Sequence, residues 1–188
     1  MLTVRAIRLF GDPVLRTPTT AVTVFDARVA ALAVDLLDTV GLPGRAGVAA
    51  PQIGVGVRAF AWSVQGWSGV VFNPVLSGLA GTQEDDEGCL SMPGQFHRTP
   101  RAAEATVTGQ DATGAPVTVH GRGLLARCLE HETDHLDGRM FLDRLDREVR
   151  RAAMRALRAR AAAPSGPIGA GLVRRSQVGA GVRPSSTR

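Results

Sequence analysis

The chain has 188 residues, of which 44% are apolar and 21% charged, a composition that suits one globular domain and excludes a collagen-like or wholly disordered protein. Two cysteines are too few for a disulfide framework, and no apolar run approaches the roughly 18 residues that a membrane span needs. Because the first residues also lack the layout of a secretory signal, we expect a cytoplasmic protein with no membrane contact.

The basic residues are concentrated at one end of the chain. All 22 are arginine: residues 1–138 carry 10 of them against 14 acidic residues, a balance of −4, whereas residues 139–188 carry 12 against 3, a balance of +9. A basic segment of this kind forms a solvated face or meets a polyanion.

Hydrophobic periodicity predicts one helix and two strands in the first half of the chain. Asp26 is the predicted N-cap of a helix that runs to about Val40, because apolar residues recur there at helical spacing. Strands are predicted over residues 55–64 and 69–76. Pro74 interrupts the second, which favours an edge strand or a strand end at that position.

The second half of the chain contains a predicted hairpin and two predicted helices. Residues 103–109 and 115–120 flank a turn sequence and form the hairpin, while the helices are predicted over 124–137 and about 143–162. Residues 164–188 are rich in Gly, Ser, Pro and Arg, and we expect them to be disordered. Strands early and helices late indicate an α+β domain, residues 1–163, followed by a tail.

The strongest chemical feature is the segment HETDH at residues 131–135. On a helix, positions i and i+4 lie one turn apart on the same face, so His131 and His135 can reach one metal ion. Glu132 lies about 100° further round the helix. It can therefore reach a water bound to the metal without being a ligand itself.

Two histidines leave a metal site incomplete, and the sequence offers several candidates for the third ligand. A zinc peptidase would need a histidine where Phe141 stands or a carboxylate such as Glu148, which is better explained as a partner in helix ion pairs. Cys89 lies in an acidic, glycine-containing loop or strand end, where a metal would hold its thiol as thiolate. Cys128, three residues before His131, is better explained as a small buried hydrophobe near the site.

A third element with chemical potential is the segment GVAAPQIG at residues 47–54. Small residues let a backbone approach a ligand closely, and the Gln52 side chain offers an amide donor for an oxyanion. Alone, this segment predicts only a turn between a helix and a strand.

These three elements, taken in order, resemble the motifs of the peptide deformylase family. That family carries Gly-x-Gly-Φ-Ala-Ala-x-Gln, then Glu-Gly-Cys-Leu-Ser, then Gln-His-Glu-x-Asp-His, and this chain has RAGVAAPQ at 45–52, EGCLS at 87–91 and EHETDH at 130–135. The segment GDPVL at 11–15 also resembles the opening segment of the family. The likeness extends over about residues 5–145.

The resemblance implies small antiparallel or mixed sheets packed around a central metal-binding helix, with a further helix at the C-terminal end. It implies a metal-dependent hydrolase of protein biosynthesis that removes the formyl group from the N-formylmethionine of nascent polypeptides. The implied cofactor is one divalent ion. In the natural state this ion is Fe²⁺, which Zn²⁺, Ni²⁺ or Co²⁺ can replace. A monomer is expected.

The resemblance also implies a role for each matching residue. The metal ligands would be Cys89, His131 and His135, with Glu132 as general acid and base, and Gln52 and the Leu90 backbone N–H as oxyanion donors. The substrate backbone would lie beside Gly47 and Val48, and the methionine side chain among Val48, Leu124, Cys128 and His131.

Two residues depart from the motifs of the family. Arg45 replaces the first glycine of the first motif and adds a large cation close to the expected path of the substrate backbone, and Glu130 replaces the glutamine before His131. Neither departure removes a ligand or the base, so the activity is retained in our prediction.

The C-terminal helix has two faces and two interpretations. Its apolar stripe predicts a packed amphipathic helix, and its arginine-rich face is either simply solvated or, as the resemblance implies, docks on ribosomal RNA. A non-catalytic, arginine-rich nucleic-acid-binding protein is the alternative from another class. That alternative leaves the order of the three motifs as a coincidence.

Overall fold

Residues 3–162 are the part of the chain that this computed structural model describes, and they form three helices, seven strands and three short 3-10 turns. The helices are Ala27–Val40 (α1), Leu124–Leu136 (α2) and Arg147–Ala162 (α3). The strands are Gly47–Ala49 (β1), Ala59–Val64 (β2), Trp67–Ala80 (β3), Gln83–Gly88 (β4), Phe96–Arg101 (β5), Glu104–Gln110 (β6) and Pro116–Arg122 (β7). The 3-10 turns are Pro13–Arg16, Ala50–Ile53 and Phe141–Arg144. The predicted tail, residues 164–188, lies outside the described residues.

The strands form two antiparallel sheets, and the larger one separates two helices. Its five strands have the order β1-β2-β3-β6-β7, while β4 and β5 pair with each other. Side chains of β2 alternate between its faces: Phe60 and Trp62 pack with residues of α2, whereas Ala59 and Ala61 pack with residues of α1. The predicted α+β fold with α2 at its centre is therefore confirmed.

Local capping sets the start of α1 as the sequence predicts. The Asp26 carboxylate accepts hydrogen bonds from the backbone N–H groups of Arg28 and Val29, which have no partner inside the helix. Ala27 is the first helical residue and Val40 the last. The predicted bounds of this helix are thus confirmed to within one residue.

The prediction for Pro74 is wrong, because β3 runs through the proline and lies in the middle of its sheet. The register of β3 against β6 shifts between Phe72 and Val75, so the missing N–H of Pro74 falls at an irregularity in the ladder. Asn73 has a positive φ of 50°, and its side-chain amide donates to the carbonyl of Val22. The strand predicted over 55–64 is also shorter in the structure and begins at Ala59.

The small sheet of β4 and β5 is the largest difference from the predicted elements. The acidic segment before Cys89 is predicted as a loop or strand end, whereas Gln83–Gly88 is a strand, and no strand is predicted over Phe96–Arg101. Neither strand shows an apolar alternation, because their cross-strand neighbours are polar or charged, as in the pair Asp86 and Arg98. Cys89 directly follows the end of β4.

The C-terminal segment packs on the loop that carries Cys89. Ala153 and Leu157 of α3 share a core cluster with Cys89, Met92 and Phe141. The helix predicted from residue 143 is in fact a 3-10 turn followed by α3, which begins at Arg147. Within residues 3–162, no helix is long and apolar enough to cross a membrane.

Candidate active site

Cys89, His131 and His135 meet at one buried point between α2 and the end of β4. One ligand atom from each of the three residues lies within 4.8 Å of the others, and Cys89 Sγ is 3.2 Å from His135 Nε2. One helical turn separates the two histidines on α2, as the i,i+4 spacing requires. The structure thus brings the three predicted ligands together, whereas Glu148 is exposed at the start of α3.

The donor set of this cluster fits a divalent transition metal. One thiol and two imidazoles are soft and borderline ligands, and three protein ligands leave a position open for water or substrate. His131 Nδ1 is 2.6 Å from Glu87 Oε1, which leaves Nε2 of that ring for an ion. Burial lowers the pKa of His135 well below its ordinary range, and a neutral imidazole is the form that binds a metal.

A buried ion-pair network around Glu87 holds His131 in place. Arg101 binds Glu87 through two hydrogen bonds of 2.9 Å and 2.6 Å and donates a third, of 2.7 Å, to Asp134. Arg127 adds a contact of 3.1 Å to Glu87. Burial acts to raise the pKa of Glu87, but the hydrogen bonds and charges of Arg101 and His131 outweigh it and hold this pKa at about 2.

Local sequence patterns do not indicate that Arg101 joins Glu87 to Asp134. Arg101 lies at the end of β5, a strand that is not predicted, and it reaches Asp134 across 33 positions of the chain. Asp134 is also bound by Arg144 of the last 3-10 turn. Nothing in the local pattern around Arg101 could have revealed these long-range contacts.

Replacing Glu87 by glutamine is expected to lower the free energy of unfolding by about 3 kcal/mol at pH 7, because two buried guanidinium groups lose the charged carboxylate that they share. The pKa of Glu87 is lower in the folded chain than the ordinary value of 4.5, so its stabilisation is complete above pH 4.5 and is lost as the pH falls through about 2. Urea unfolding of both metal-free proteins from pH 7 to pH 2 measures this.

The control is Glu84→Gln, an exposed carboxylate on the same strand, for which a change within about 0.5 kcal/mol is expected. The difference between wild type and Glu87→Gln should shrink between pH 4.5 and pH 2. A difference that stays constant over this range would contradict the ionised state of Glu87.

Glu132 lies beside the cluster in a setting suited to proton transfer. It is 2% exposed, and its Oε2 has no hydrogen-bond partner among the described residues. Burial raises the pKa of Glu132 to about 7, while the charge of His131 acts in the opposite direction. A Cβ atom on Gly47 would collide with Glu132 Oε1, so the close approach of β1 to this carboxylate requires glycine.

Gln52 is held with its amide nitrogen toward the cluster. Its Oε1 accepts a hydrogen bond of 2.8 Å from the Ala49 backbone, which fixes the orientation of the side chain. Its Nε2 then lies 3.6 Å from Cys89 Sγ and 3.3 Å from Ser91 Oγ. The buried Ser91 hydroxyl is a contact that the sequence did not suggest.

A cleft of about 460 Å³ opens over these groups. Among the predicted substrate-binding and oxyanion residues, Gly47, Gln52, Leu90, Leu124 and Cys128 line it, together with His131 and Glu132. Val48 does not line the cleft, contrary to its predicted place beside the methionine side chain. Neighbouring residues of a strand face opposite sides, so with Gly47 toward the cleft the Val48 side chain packs in the core with α1.

The sheet topology, the central helix and the cluster of thiol and imidazoles are together those of a metal-dependent hydrolase. A sequence model of the polypeptide deformylase family matches residues 4–151. The chain therefore belongs to the peptide deformylase family.

Individual relatives agree with this assignment. The peptide deformylase of Acidothermus cellulolyticus is 51% identical over 157 residues, which cover 84% of this chain and 87% of that protein. Peptide deformylase 1 of Corynebacterium glutamicum is 46% identical over 165 residues, covering 85% of this chain and 98% of that protein. A crystal structure of a peptide deformylase from Legionella pneumophila matches with a TM-score of 0.77 and 38% identity over 86% of this chain and 99% of that one. This chain is thus a metal-dependent hydrolase that removes the formyl group from N-formylmethionyl peptides.

Proposed function

We propose that this chain deformylates nascent polypeptides in the cleft between β1 and α2, with Cys89, His131 and His135 as metal ligands. The observation that carries the proposal is that these three residues lie together with the buried carboxylate of Glu132 beside one cleft. Among the described residues, the Oε2 atom of Glu132 has no hydrogen-bond partner. A rival zinc peptidase with Glu148 as ligand has no such support, because Glu148 is exposed on α3.

Glu132 carries the proton in this mechanism. When bound, a divalent ion lowers the pKa of water at the site and polarises a carbonyl oxygen. Glu132 Oε2 takes a proton from the attacking water, whose oxygen adds to the formyl carbon. The same carboxyl group then gives the proton to the amine nitrogen as the carbon–nitrogen bond breaks, and formate and the free N-terminus leave.

Gln52 and Leu90 stabilise the negative oxygen that develops on the formyl group. The Gln52 amide nitrogen points toward Cys89 because its oxygen is held by the Ala49 backbone. The Leu90 N–H follows the ligand Cys89 on the wall of the same cleft. One such donor is typically worth about 3–4 kcal/mol of the activation barrier.

The methionine side chain of the substrate fits the apolar part of the cleft. Leu124 and Cys128 lie one helical turn apart on α2, and both line the cleft. Burial raises the pKa of the Cys128 thiol well above its ordinary value, so it stays neutral and packs as an apolar group. The backbone beside Gly47 runs past this pocket and offers hydrogen-bonding groups to an extended peptide.

We propose Fe²⁺ as the native ion, as membership of the family implies. A thiolate with two imidazoles makes a softer and more electron-rich site than three imidazoles, and Zn²⁺, Ni²⁺ or Co²⁺ can bind the same donors. We expect the protein to act as a monomer in the cytoplasm, where formylated nascent chains are made.

Release of formate from N-formyl-Met-Ala-Ser tests this function directly. Protein purified without oxygen and loaded with Fe²⁺ or Ni²⁺ is expected to release one formate for each new amine. Folded, metal-loaded protein that releases none would contradict the proposal, and metal analysis of protein purified without added metal identifies the native ion.

The basic face of α3 is suited to contact with ribosomal RNA. Arg151, Arg155 and Arg158 are exposed and recur at helical spacing, while Ala153 and Leu157 pack in the core. Arg144, which lies just before α3, instead binds Asp134 near the active site. The basic face is therefore formed by residues of α3 itself.

Reversing three charges on this face, in the variant Arg151→Glu, Arg155→Glu and Arg158→Glu, is expected to weaken ribosome association at least about 10-fold at low salt. Pelleting with ribosomes at increasing salt measures the binding of the variant and of the wild type. A matched control reverses the exposed arginines 28, 98 and 122, which lie elsewhere on the surface, and should bind normally. Equal binding of both triple variants would exclude contact through α3.

A further inference from the structure

Arg45 places a positive charge on the wall of the cleft, where the family motif has a glycine. The residue lies two positions before Gly47, the first residue of β1, and lines the cleft together with Gly44 and Gly47. It is half-buried, and one of its nitrogens, Nη1, donates a hydrogen bond of 2.8 Å to the carbonyl of Thr39. That carbonyl belongs to the last turn of α1, so the end of a helix anchors the guanidinium.

The anchoring contact uses one of the five N–H donors of Arg45. Within residues 3–162, no carboxylate forms an ion pair with this guanidinium. Burial accordingly lowers the pKa of Arg45 below its ordinary value, and no carboxylate among residues 3–162 forms an ion pair that offsets this cost. Arginine keeps its charge at neutral pH, so a carboxylate brought by a ligand would stabilise the group.

The other arginine on the cleft wall, Arg127, differs from Arg45 because its charge already has a buried carboxylate partner in Glu87. Arg127 Nη1 already donates to Glu87 and to the carbonyls of Asp85 and Thr99. Its side chain is 6% exposed. Arg45 is therefore the cleft arginine whose charge is open to substrate.

The position of Arg45 relative to Glu132 indicates which part of the substrate it meets. Gly47 lies against Glu132, where the formyl group reacts, and two residues of extended chain span roughly 6–7 Å. Val48 and Ala49 are fully buried, whereas Gly44 is exposed, so a peptide along this edge leaves the cleft past Arg45. Its second and third residues then lie within reach of the guanidinium.

We propose that Arg45 is a specificity-determining residue that favours formylated peptides with a carboxylate at the second or third residue. This inference rests on the proposed placement of the peptide along β1. The recognised chemistry is one carboxylate, which an Asp or Glu side chain or the free C-terminus of a short peptide can supply. Because Arg45 is remote from the reacting atoms, the preference should appear in KM and leave kcat nearly unchanged.

The test compares kcat/KM of the metal-loaded wild type for two pairs of C-terminally amidated peptides. They are N-formyl-Met-Glu-Ala-amide and N-formyl-Met-Ala-Glu-amide, each against its Gln counterpart. At low ionic strength we expect a Glu preference of about 3- to 10-fold for at least one pair, falling as salt rises. The Gln peptides are also tested with a free C-terminal carboxylate. If these are preferred over their amidated forms while Glu is not preferred over Gln, the recognised carboxylate is the C-terminus.

Two substitutions at Arg45 separate charge from structure. The Arg45→Gln variant should still cleave the Gln peptides but should no longer prefer Glu. The Arg45→Lys variant should retain part of the Glu preference. The control Arg122→Gln removes an exposed charge from β7 and should keep the full preference. The role of Arg45 is overturned if the wild type cleaves the Gln peptides without preferring any carboxylate. It is also overturned if Arg45→Gln keeps the preference. If no formyl peptide is cleaved at all, the proposed function fails as well.

Discussion

Replacing Glu132 by glutamine is expected to lower kcat/KM for N-formyl-Met-Ala-Ser by at least about 10³-fold. General acid–base catalysis contributes roughly 10²–10⁴-fold, and in this site one carboxyl group both takes the proton from water and returns it to the leaving amine. Glutamine has nearly the same shape but cannot accept and release that proton. Formate release under saturating and subsaturating substrate measures the loss, which should lie in kcat.

Glu130→Gln is the matched control, since Glu130 is also buried on α2 and differs from Glu132 by two positions. Its Oε1 accepts a hydrogen bond of 2.8 Å from the Ala102 backbone, and the oxygen of a glutamine can accept the same bond. The substitution also restores the residue of the family motif. Activity within about 3-fold of the wild type is expected, and metal content should be unchanged in both variants.

The pH profile gives a second measure of Glu132. A base must lose its proton to act, so kcat/KM is expected to fall on the acid side as Glu132 becomes protonated. Burial raises the pKa of Glu132 to about 7 in the metal-free chain, and the charge of a bound ion lowers it again, so the midpoint of the fall in kcat/KM should lie at or below pH 7.

A residual activity of Glu132→Gln above a tenth of the wild type would contradict the role assigned to Glu132.

The sequence predicts the parts of this site that depend on short-range spacing. His131 and His135 share a face of α2 because they are one turn apart, and the acceptor Asp26 fixes the start of α1 through bonds to its nearest neighbours. Cys89 lies 42 positions from His131, and only its motif, not any periodicity, connects the two in the sequence. Short-range rules therefore find the helix, and the resemblance supplies the third ligand.

The remaining features depend on contacts that no local pattern encodes. β4 and β5 are held by polar cross-strand pairs and by the buried network of Glu87 and Arg101, so they lack the apolar alternation of a strand. Val48 lies in a three-residue strand, too short for alternation to show which face is buried. Pro74 is tolerated in a central strand because the register shifts there. In each case tertiary packing overrides the local preference.

The β4–β5 network has a consequence for the metal centre. Glu87 holds His131, and Arg101 links Glu87 to Asp134 on the same helix as both histidines. His131 therefore keeps its orientation without help from Cys89, and the helix that carries His135 is held by the bond from Arg101 to Asp134. Loss of the thiol should accordingly leave the fold and the two imidazoles in place while it removes one ligand.

Cys89→Ala is therefore expected to reduce bound metal from about one ion per chain to less than about a tenth after dialysis, with no detectable formate release. Two imidazoles alone form an incomplete site, and the loss of the third ligand should weaken affinity at least about 100-fold. Elemental analysis of the folded protein measures the metal directly, independently of activity. The two alternatives, a peptidase site with a carboxylate ligand and an incidental site in a nucleic-acid-binding protein, both predict little change.

Cys128→Ala provides the matched control, because Cys128 is the second buried cysteine and lies on α2 three residues before His131. Its thiol donates to the carbonyl of Ala46 at 3.3 Å and is not part of the ligand cluster. This variant should keep its metal, although a smaller side chain in the cleft is expected to raise KM for methionyl substrates. Equal metal content in Cys89→Ala and Cys128→Ala would show that the thiol of Cys89 is not a ligand. The two histidines of α2 would then have to bind the metal together with a different third group.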